Sequence, residues 1–363
     1  MQTITDIFRT YGPAYIERYG VDMPSVHYKT IQAMIQCRTS VYGMTIYECP
    51  DCGQVHHIFR SCGNRHCPQC QHHKTRAWLE KQMARQLPCP HFLITFTVPE
   101  ALRLFIRSHQ KACYEALFLA SSEALKVMAT NIRFLGTNLP GFTGILHTWG
   151  RQLQFHPHIH YIVAGGGLSK DRSEWLPSSA GFYVPVKALS PIFRAKFKEQ
   201  MDKAGLLGQI DPKVWKTGWV VNSQAVGNGA ASLKYLAPYV FKVAISNSRI
   251  INVVNRIVTF KYRKHGSNRY RSMALDVLEF IRRFLQHVLP SGFMKVRHFG
   301  FMSSSASISV NTIRSLILKQ NGMPPEPEEK PKLPVGPHCP DCGAKLVFLK
   351  SIIPLRRFLC DSG

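Results

Sequence analysis

Apolar residues recur at two different spacings along this chain, and the switches between them outline its elements. Ile31, Met34 and Ile35 fall on one side of a helix between His27 and Cys37, so residues 1–36 read as a short helical lead-in. Lys74–Leu87 is a second helical stretch, stopped by Pro88, and the apolar run His91–Val98 (HFLITFTV) reads as a buried strand ended by Pro99. A helical region is expected over roughly 100–132. Gly144–Trp149 and Gln154–Ala164 read as two strands on either side of a Gly-Arg turn. The second runs into Gly165-Gly166-Gly167, which marks a tight turn or a close backbone approach.

Further on, the patterning predicts a strand near Gly181–Val186, a helix near Pro191–Ala204, a strand at Trp219–Asn222 and a helix at about 230–243. Strands near 249–254 and 257–263 follow, and then an amphipathic helix at 275–288. Strands and helices mixed in this way predict an α+β layer fold. Residues 321–338 are rich in proline (PPEPEEKPKLPVGP) and read as an extended linker between a main domain at 89–320 and a small cysteine-containing tail at 339–363.

Composition changes this picture in two ways. The 363 residues carry a formal charge of +25 with a pI near 9.8, which excludes a neutral metabolic enzyme and points to a polyanion partner, most plausibly nucleic acid. A hydrophobic content of 45% excludes wholesale disorder and supplies a core for two or three domains. No apolar run reaches the roughly 18–20 residues of a spanning helix, and Met1–Tyr15 lacks a signal-peptide pattern. A soluble, cytoplasmic, nucleoid-associated protein is therefore expected. In a reducing compartment, eleven cysteines with C-x-x-C spacing point to metal rather than disulfides.

The cysteines concentrate in residues 37–88. Cys49-Pro50-Asp51-Cys52 and Cys67-Pro68-Gln69-Cys70 are two knuckles at zinc-ribbon spacing, which predicts a structural Zn²⁺ held by Cys49, Cys52, Cys67 and Cys70. Cys37, Cys62, His57 and His66 are candidates for a second ion. Cys339 and Cys342 offer half a site, with Cys360 or His338 as completions. Arg60, Arg65, Lys74 and Arg76 make the module a candidate phosphate-contacting surface.

The most informative stretch is Phe155-His156-Pro157-His158-Ile159-His160. On a strand, His158 and His160 project from one face, as a grip for a divalent metal, and His156 has the parity of a third ligand, a role a Gln or Glu elsewhere could equally fill. Farther along, Lys234-Tyr235-Leu236-Ala237-Pro238-Tyr239 places Tyr235 and Tyr239 one helical turn apart on one face. A phenol, with an ordinary pKa near 10, needs a metal or a base to attack phosphorus. Two phenols beside a metal allow two strand-breaking events through covalent 5′-phosphotyrosine, with the bond energy retained for rejoining.

These segments resemble the HUH endonucleases and, within them, the rolling-circle, two-tyrosine transposases of the insertion-sequence ninety-one type. The resemblance covers most of the chain. It is carried by CRT at 37–39, CPDCG at 49–53, SCGNRHCPQCQ at 61–71, LITFTVPE at 93–100, HPHIHYIVAGGGLS at 156–169, KYLAPYVFKVAISNSRI at 234–250 and RRFLQHVLPSGFMKVRHFGF at 282–301. It implies a central antiparallel sheet flanked by helices, Mg²⁺ or Mn²⁺ on His158 and His160, and Tyr235 and Tyr239 as nucleophiles. The expected activity is single-strand nicking and strand transfer on DNA. Lys234, Lys242 and Arg249, with Lys261, Arg263 and Lys264, are candidate DNA contacts. A rolling-circle replication initiator has the same chemistry, and a non-catalytic zinc-containing nucleic-acid-binding protein has the same composition. The histidine-before-tyrosine order and the leading cysteine module favour the transposase.

Overall fold

The computed structural model describes residues 2–241, 244–263, 267, 269–322 and 336–354, excepting the side chains of Pro238, Tyr239 and Phe241. Helices α1 (Ile4–Tyr19) and α2 (Ser25–Ile35) form the lead-in, and Thr3 starts α1 through a reciprocal capping box with Asp6. Strands β1 (Met44–Glu48) and β2 (Val55–Phe59) make a hairpin carrying the first knuckle, and α3 (His72–Ala84) follows the second. Then come β3 (His91–Thr97), α4 (Arg103–Ser108), α5 (Gln110–Thr130), β4 (Leu139–Trp149), β5 (Phe155–Leu168), β6 (Trp175–Pro177), α6 (Val186–Lys203), β7 (Val220–Ala225) and α7 (Ala230–Phe241). The chain continues with β8 (Ile250–Val254), β9 (Ile257–Arg263), β10 (Tyr270–Asp276), α8 (Val277–Leu285), β11 (Val296–Gly300), α9 (Val310–Gln320) and β12 (Val347–Ile352). Among the described residues, no helix is long and apolar enough to cross a membrane.

The α+β layering expected from the sequence is present. The central sheet has the order β11-β4-β5-β3-β7, with β6 attached to β5, and every pairing is antiparallel. Alternation along its strands divides the side chains between the two faces of the sheet. Phe92, Ile94, Phe96, Phe142, Ile159, Tyr161 and Val163 face α5 and α6, whose Phe118, Leu125, Phe193 and Phe197 complete one core. Leu93, Ile145 and Ile162 point the other way, under Leu233, Leu236 and Val240 of α7 and Trp78 and Leu79 of α3. At roughly 1.5–3 kcal/mol for each large apolar side chain fully buried, the two layers hold the central strands rigidly.

A second core joins α1 and α2 to α8 and the β8-β9-β10 sheet through Phe8, Ile31, Met34, Phe260, Phe280 and Phe284, so the lead-in packs against residues far along the chain. The β10 strand was not anticipated from the patterning. The strand expected near Gly181–Val186 is absent; a short strand forms instead at Trp175–Pro177, and α6 begins at Val186. Gly165–Gly167 make no tight turn but continue β5. The backbone is close-packed there: a Cβ on Gly166 would lie 2.5 Å from the Trp175 ring, and one on Gly165 would lie 2.5 Å from the Pro90 carbonyl oxygen. The tail is not a separate unit either, because β12 pairs antiparallel with β1 to make the three-stranded sheet β12-β1-β2.

Candidate nuclease site and cysteine clusters

The hairpin of β4 and β5 builds the histidine site. Its register sets His147 opposite His158 and Ile145 opposite His160, so three imidazoles share one face of the sheet. His147, His158 and His160 each offer a ring nitrogen, and these nitrogens lie within 4.8 Å of one another. His158 Nε2 and His160 Nε2 are 3.1 Å apart. Their opposite nitrogens are already engaged: His158 Nδ1 lies 2.7 Å from the His156 carbonyl oxygen, and His160 Nδ1 lies 2.8 Å from Thr95 Oγ1. A carbonyl only accepts, so His158 Nδ1 carries the proton and its Nε2 presents a lone pair.

Burial, with the other histidines, holds His147 and His158 well below the ordinary imidazole pKa, and burial takes His160 down to about 4. All three are therefore neutral at physiological pH, the form that ligates metal. His147 stacks on Trp149, with ring centroids 4.8 Å apart and 19° between planes. Lys295 Nζ lies 4.8 Å from the centroid of the same Trp149 ring, and burial, helped by Arg65, brings its pKa down to about 7.

The grouping of imidazoles differs from the expected one. His156, expected as the third imidazole, is not in the cluster; its ring packs beside His158 with centroids 5.0 Å apart, and its backbone carbonyl meets His158 Nδ1. His147 takes the place because the antiparallel register brings β4 alongside the histidine strand. The signal was present in the sequence, since Gly144–Trp149 reads as a strand and His147 shares the parity of Ile145 and Trp149. Finding it required the hairpin register.

Helix α7 lies over the same sheet face, because Leu236 and Val240 pack with Ile162 and with Ile145, the cross-strand partner of His160. It carries Tyr235, whose side chain is 59% exposed, next to exposed Lys234. Tyr239 belongs to α7, but its side chain lies outside the described residues, as do Lys242 and Lys264. Arg249 donates to the Lys261 carbonyl of β9 at 2.9 Å and to the Arg151 carbonyl in the β4–β5 turn at 2.6 Å, so it bridges the β8-β9-β10 sheet and the histidine hairpin. Within the cysteine module, Arg65 donates to the Phe293 carbonyl at 2.7 Å and Arg76 pairs with Glu80 at 2.9 Å.

The expected tetrahedron of Cys49, Cys52, Cys67 and Cys70 is also corrected, because the structure divides these thiols between two clusters. Cys67 and Cys70 converge with Cys37 and Cys62, whereas Cys49 and Cys52 converge with Cys339 and Cys342. In the first cluster, Cys37 and Cys62 lie 3.3 and 3.4 Å from Cys70 Sγ. Hydrogen bonds from Cys37, Cys62 and Cys67 hold the Cys70 thiol far below its usual pKa, favouring the thiolate that binds metal. The knuckles separate because β1 and β2 carry the first away from the second, which stays with α2 and Trp149 in the second core.

Comparison with known proteins gives this combination of a cysteine module and a histidine-bearing sheet a class. Residues 141–309 match the family model described as "Putative transposase", and residues 7–98 match the "Transposase zinc-binding domain". Over 322 residues the chain is 35% identical to "Putative transposase y4qJ" of Sinorhizobium fredii (strain NBRC 101917 / NGR234), covering 83% of this chain and 80% of that protein. Over 354 residues it is 28% identical to "Transposase for insertion sequence element IS801" of Pseudomonas savastanoi pv. phaseolicola, covering 90% of this chain and 84% of that protein. No solved structure matches the chain. The fold and its matches therefore define a transposase with an N-terminal structural zinc module. The chain belongs to the insertion-sequence ninety-one (IS91) transposases.

Proposed function

We propose that this transposase nicks one DNA strand at an element end by attack of a tyrosine of α7 on phosphorus, and passes the resulting 5′ end to a target through its second tyrosine. The observation that carries this reading is the convergence of His147, His158 and His160 on the sheet face that α7 covers. The donor set fits a divalent cation. Two ligands at right angles about 2.1 Å from an octahedral ion lie about 3.0 Å apart, and the two Nε2 atoms are 3.1 Å apart. Bound Mg²⁺ or Mn²⁺ would supply Lewis-acid polarisation of the scissile phosphate.

The chain's own groups do the rest. Thr95 and the His156 carbonyl fix the ring orientations. A phenol oxygen of Tyr235 or Tyr239 forms the new O–P bond and loses its proton, while the O–P bond to the 3′ oxygen breaks and that oxygen takes a proton to leave as a hydroxyl. Attack of a free 3′ hydroxyl on the phosphotyrosine reverses these transfers and rejoins the strand. Two tyrosines allow cleavage at the donor and at the target, and rolling-circle transposition follows from alternating them. Lys234, beside Tyr235, would meet a backbone phosphate.

The test is incubation of the full chain and Mn²⁺ with single-stranded element-end oligonucleotides. A covalent protein–DNA adduct is expected from the wild type, lost in the Tyr235→Phe/Tyr239→Phe double variant. Binding of the oligonucleotide by both proteins, with an adduct from neither, would establish a binding protein instead.

A further inference from the structure

We infer that Cys49, Cys52, Cys339 and Cys342 bind a zinc ion of their own, distinct from that of Cys37, Cys62, Cys67 and Cys70, and that this second ion clamps the C-terminal tail onto the N-terminal module. The tail lies beyond both matched regions, 7–98 and 141–309. Its cysteines fill half of a site whose other half is 287 to 293 residues away in sequence.

The geometry is that of a tetrathiolate. Cys49 Sγ is 3.4 Å from Cys342 Sγ, and Cys52 Sγ is 3.7 Å from Cys339 Sγ. A disulfide needs about 2.05 Å, whereas sulfurs about 2.3 Å from a tetrahedral zinc lie about 3.8 Å apart. The two halves are also the same object, because Cys49–Gly53 and Cys339–Gly343 are both Cys-Pro-Asp-Cys-Gly. In each, the glycine N–H donates to the first cysteine carbonyl at 2.9 Å, and the glycine takes a left-handed φ, 71° at Gly53 and 82° at Gly343. Two identical knuckles facing one another place their thiols as a pair of two-pronged grips on one ion.

The surroundings support a bound thiolate cluster. His56 Nε2 lies 3.3 Å from Cys339 Sγ and 4.0 Å from a carboxylate oxygen of Asp341, an outer partner of the kind that orients a ligand. The ion would also complete the local fold. A two-stranded hairpin such as β1–β2 is marginal by itself, and β12, brought in by the second knuckle, makes it a three-stranded sheet. On binding, four thiols release their protons and the ion takes four Zn–S bonds, so no oxidant is involved.

The two sites differ in access. Cys52 and Cys342 are exposed, whereas Cys37 and Cys67 are fully buried and Cys62 and Cys70 half-buried. The clamp ion should therefore leave first.

The test uses the full-length protein. Wild type should carry two zinc ions per chain, one released rapidly to a chelator and one slowly. Cys339→Ser/Cys342→Ser should carry one, lack the rapid phase, and show a tail cleaved by protease that wild type protects. One ion in wild type, or two in the variant, would overturn the clamp. Thiol alkylation of the wild type gives an independent reading that needs no variant. Brief chelation should expose Cys49, Cys52, Cys339 and Cys342 together while the other cluster stays protected. Labelling of Cys339 and Cys342 before chelation, with Cys49 and Cys52 protected, would equally refute it.

Discussion

Replacing His147 by Phe distinguishes the imidazole cluster built by the hairpin from the one the histidine strand alone would suggest. Phe keeps the aromatic plane that stacks on Trp149 at 4.8 Å and removes both ring nitrogens, so packing is largely preserved while the ligand is lost. Loss of an outer-sphere partner alone costs about 10–100-fold in metal affinity, or about 1.4–2.7 kcal/mol. Removing one of three nitrogens in the cluster of His147, His158 and His160 should cost at least as much. The paired control is His156→Phe. His156→Phe keeps both the backbone carbonyl 2.7 Å from His158 Nδ1 and an aromatic ring packed beside His158, so Mn²⁺ affinity should be unchanged. Mn²⁺ titration followed by electron paramagnetic resonance, with adduct formation measured across Mn²⁺ concentration, reads both variants. Weakened binding in His156→Phe with wild-type binding in His147→Phe would refute the three-histidine assignment.

Other substitutions test neighbouring steps of the argument. Thr95→Val removes the 2.8 Å partner of His160 Nδ1 at nearly constant volume and should weaken Mn²⁺ binding about 10–100-fold in the same titration, with little change in thermal stability. Gly144→Ala would put a Cβ 2.5 Å from the Tyr161 ring, so a loss of about 1–3 kcal/mol in denaturant unfolding is expected. His287 is buried, with a pKa near 3 against an ordinary 6.5. The unfolded chain takes up its proton first, so stability is lost as pH falls from about 6.5 towards 3, by up to about 1.4 kcal/mol per pH unit; His287→Gln should flatten that slope in unfolding measured across pH. Each single variant, Tyr235→Phe and Tyr239→Phe, should still form an adduct on at least one of the donor or target oligonucleotides in the covalent-adduct assay, and loss on both from either single change would argue against two separable attacks.

Local patterning carried much of the architecture. The apolar run after Pro90 and the two strands flanking the Gly150 turn could be read as near-continuous buried runs, because layers pack on both faces of those strands, while the amphipathic α8 could be read from the 3.6 period that burying one face imposes. The exposed β10 and the three-residue β6 left little such imprint. Burial along β10 alternates only between exposed and intermediate positions, and β6 spans three residues. The Gly165–Gly167 run announced a close approach, yet whether it turned or continued depended on Trp175 and Pro90, which local sequence does not place.

By itself, the sequence determined the chemistry available: a strongly basic chain, paired cysteine knuckles, a strand of histidines and a helix with two phenols. Side-chain type and near-neighbour spacing are enough for that. Tertiary structure alone decided the partnerships. His147 rather than His156 joins His158 and His160 because cross-strand register, not parity along one strand, sets which imidazoles meet. The first knuckle met Cys339 and Cys342 rather than its neighbour because β12 returns to β1 from the far end of the chain. Ligand sets are fixed by distance in space, and only the folded chain turns a separation of hundreds of residues into a few ångströms.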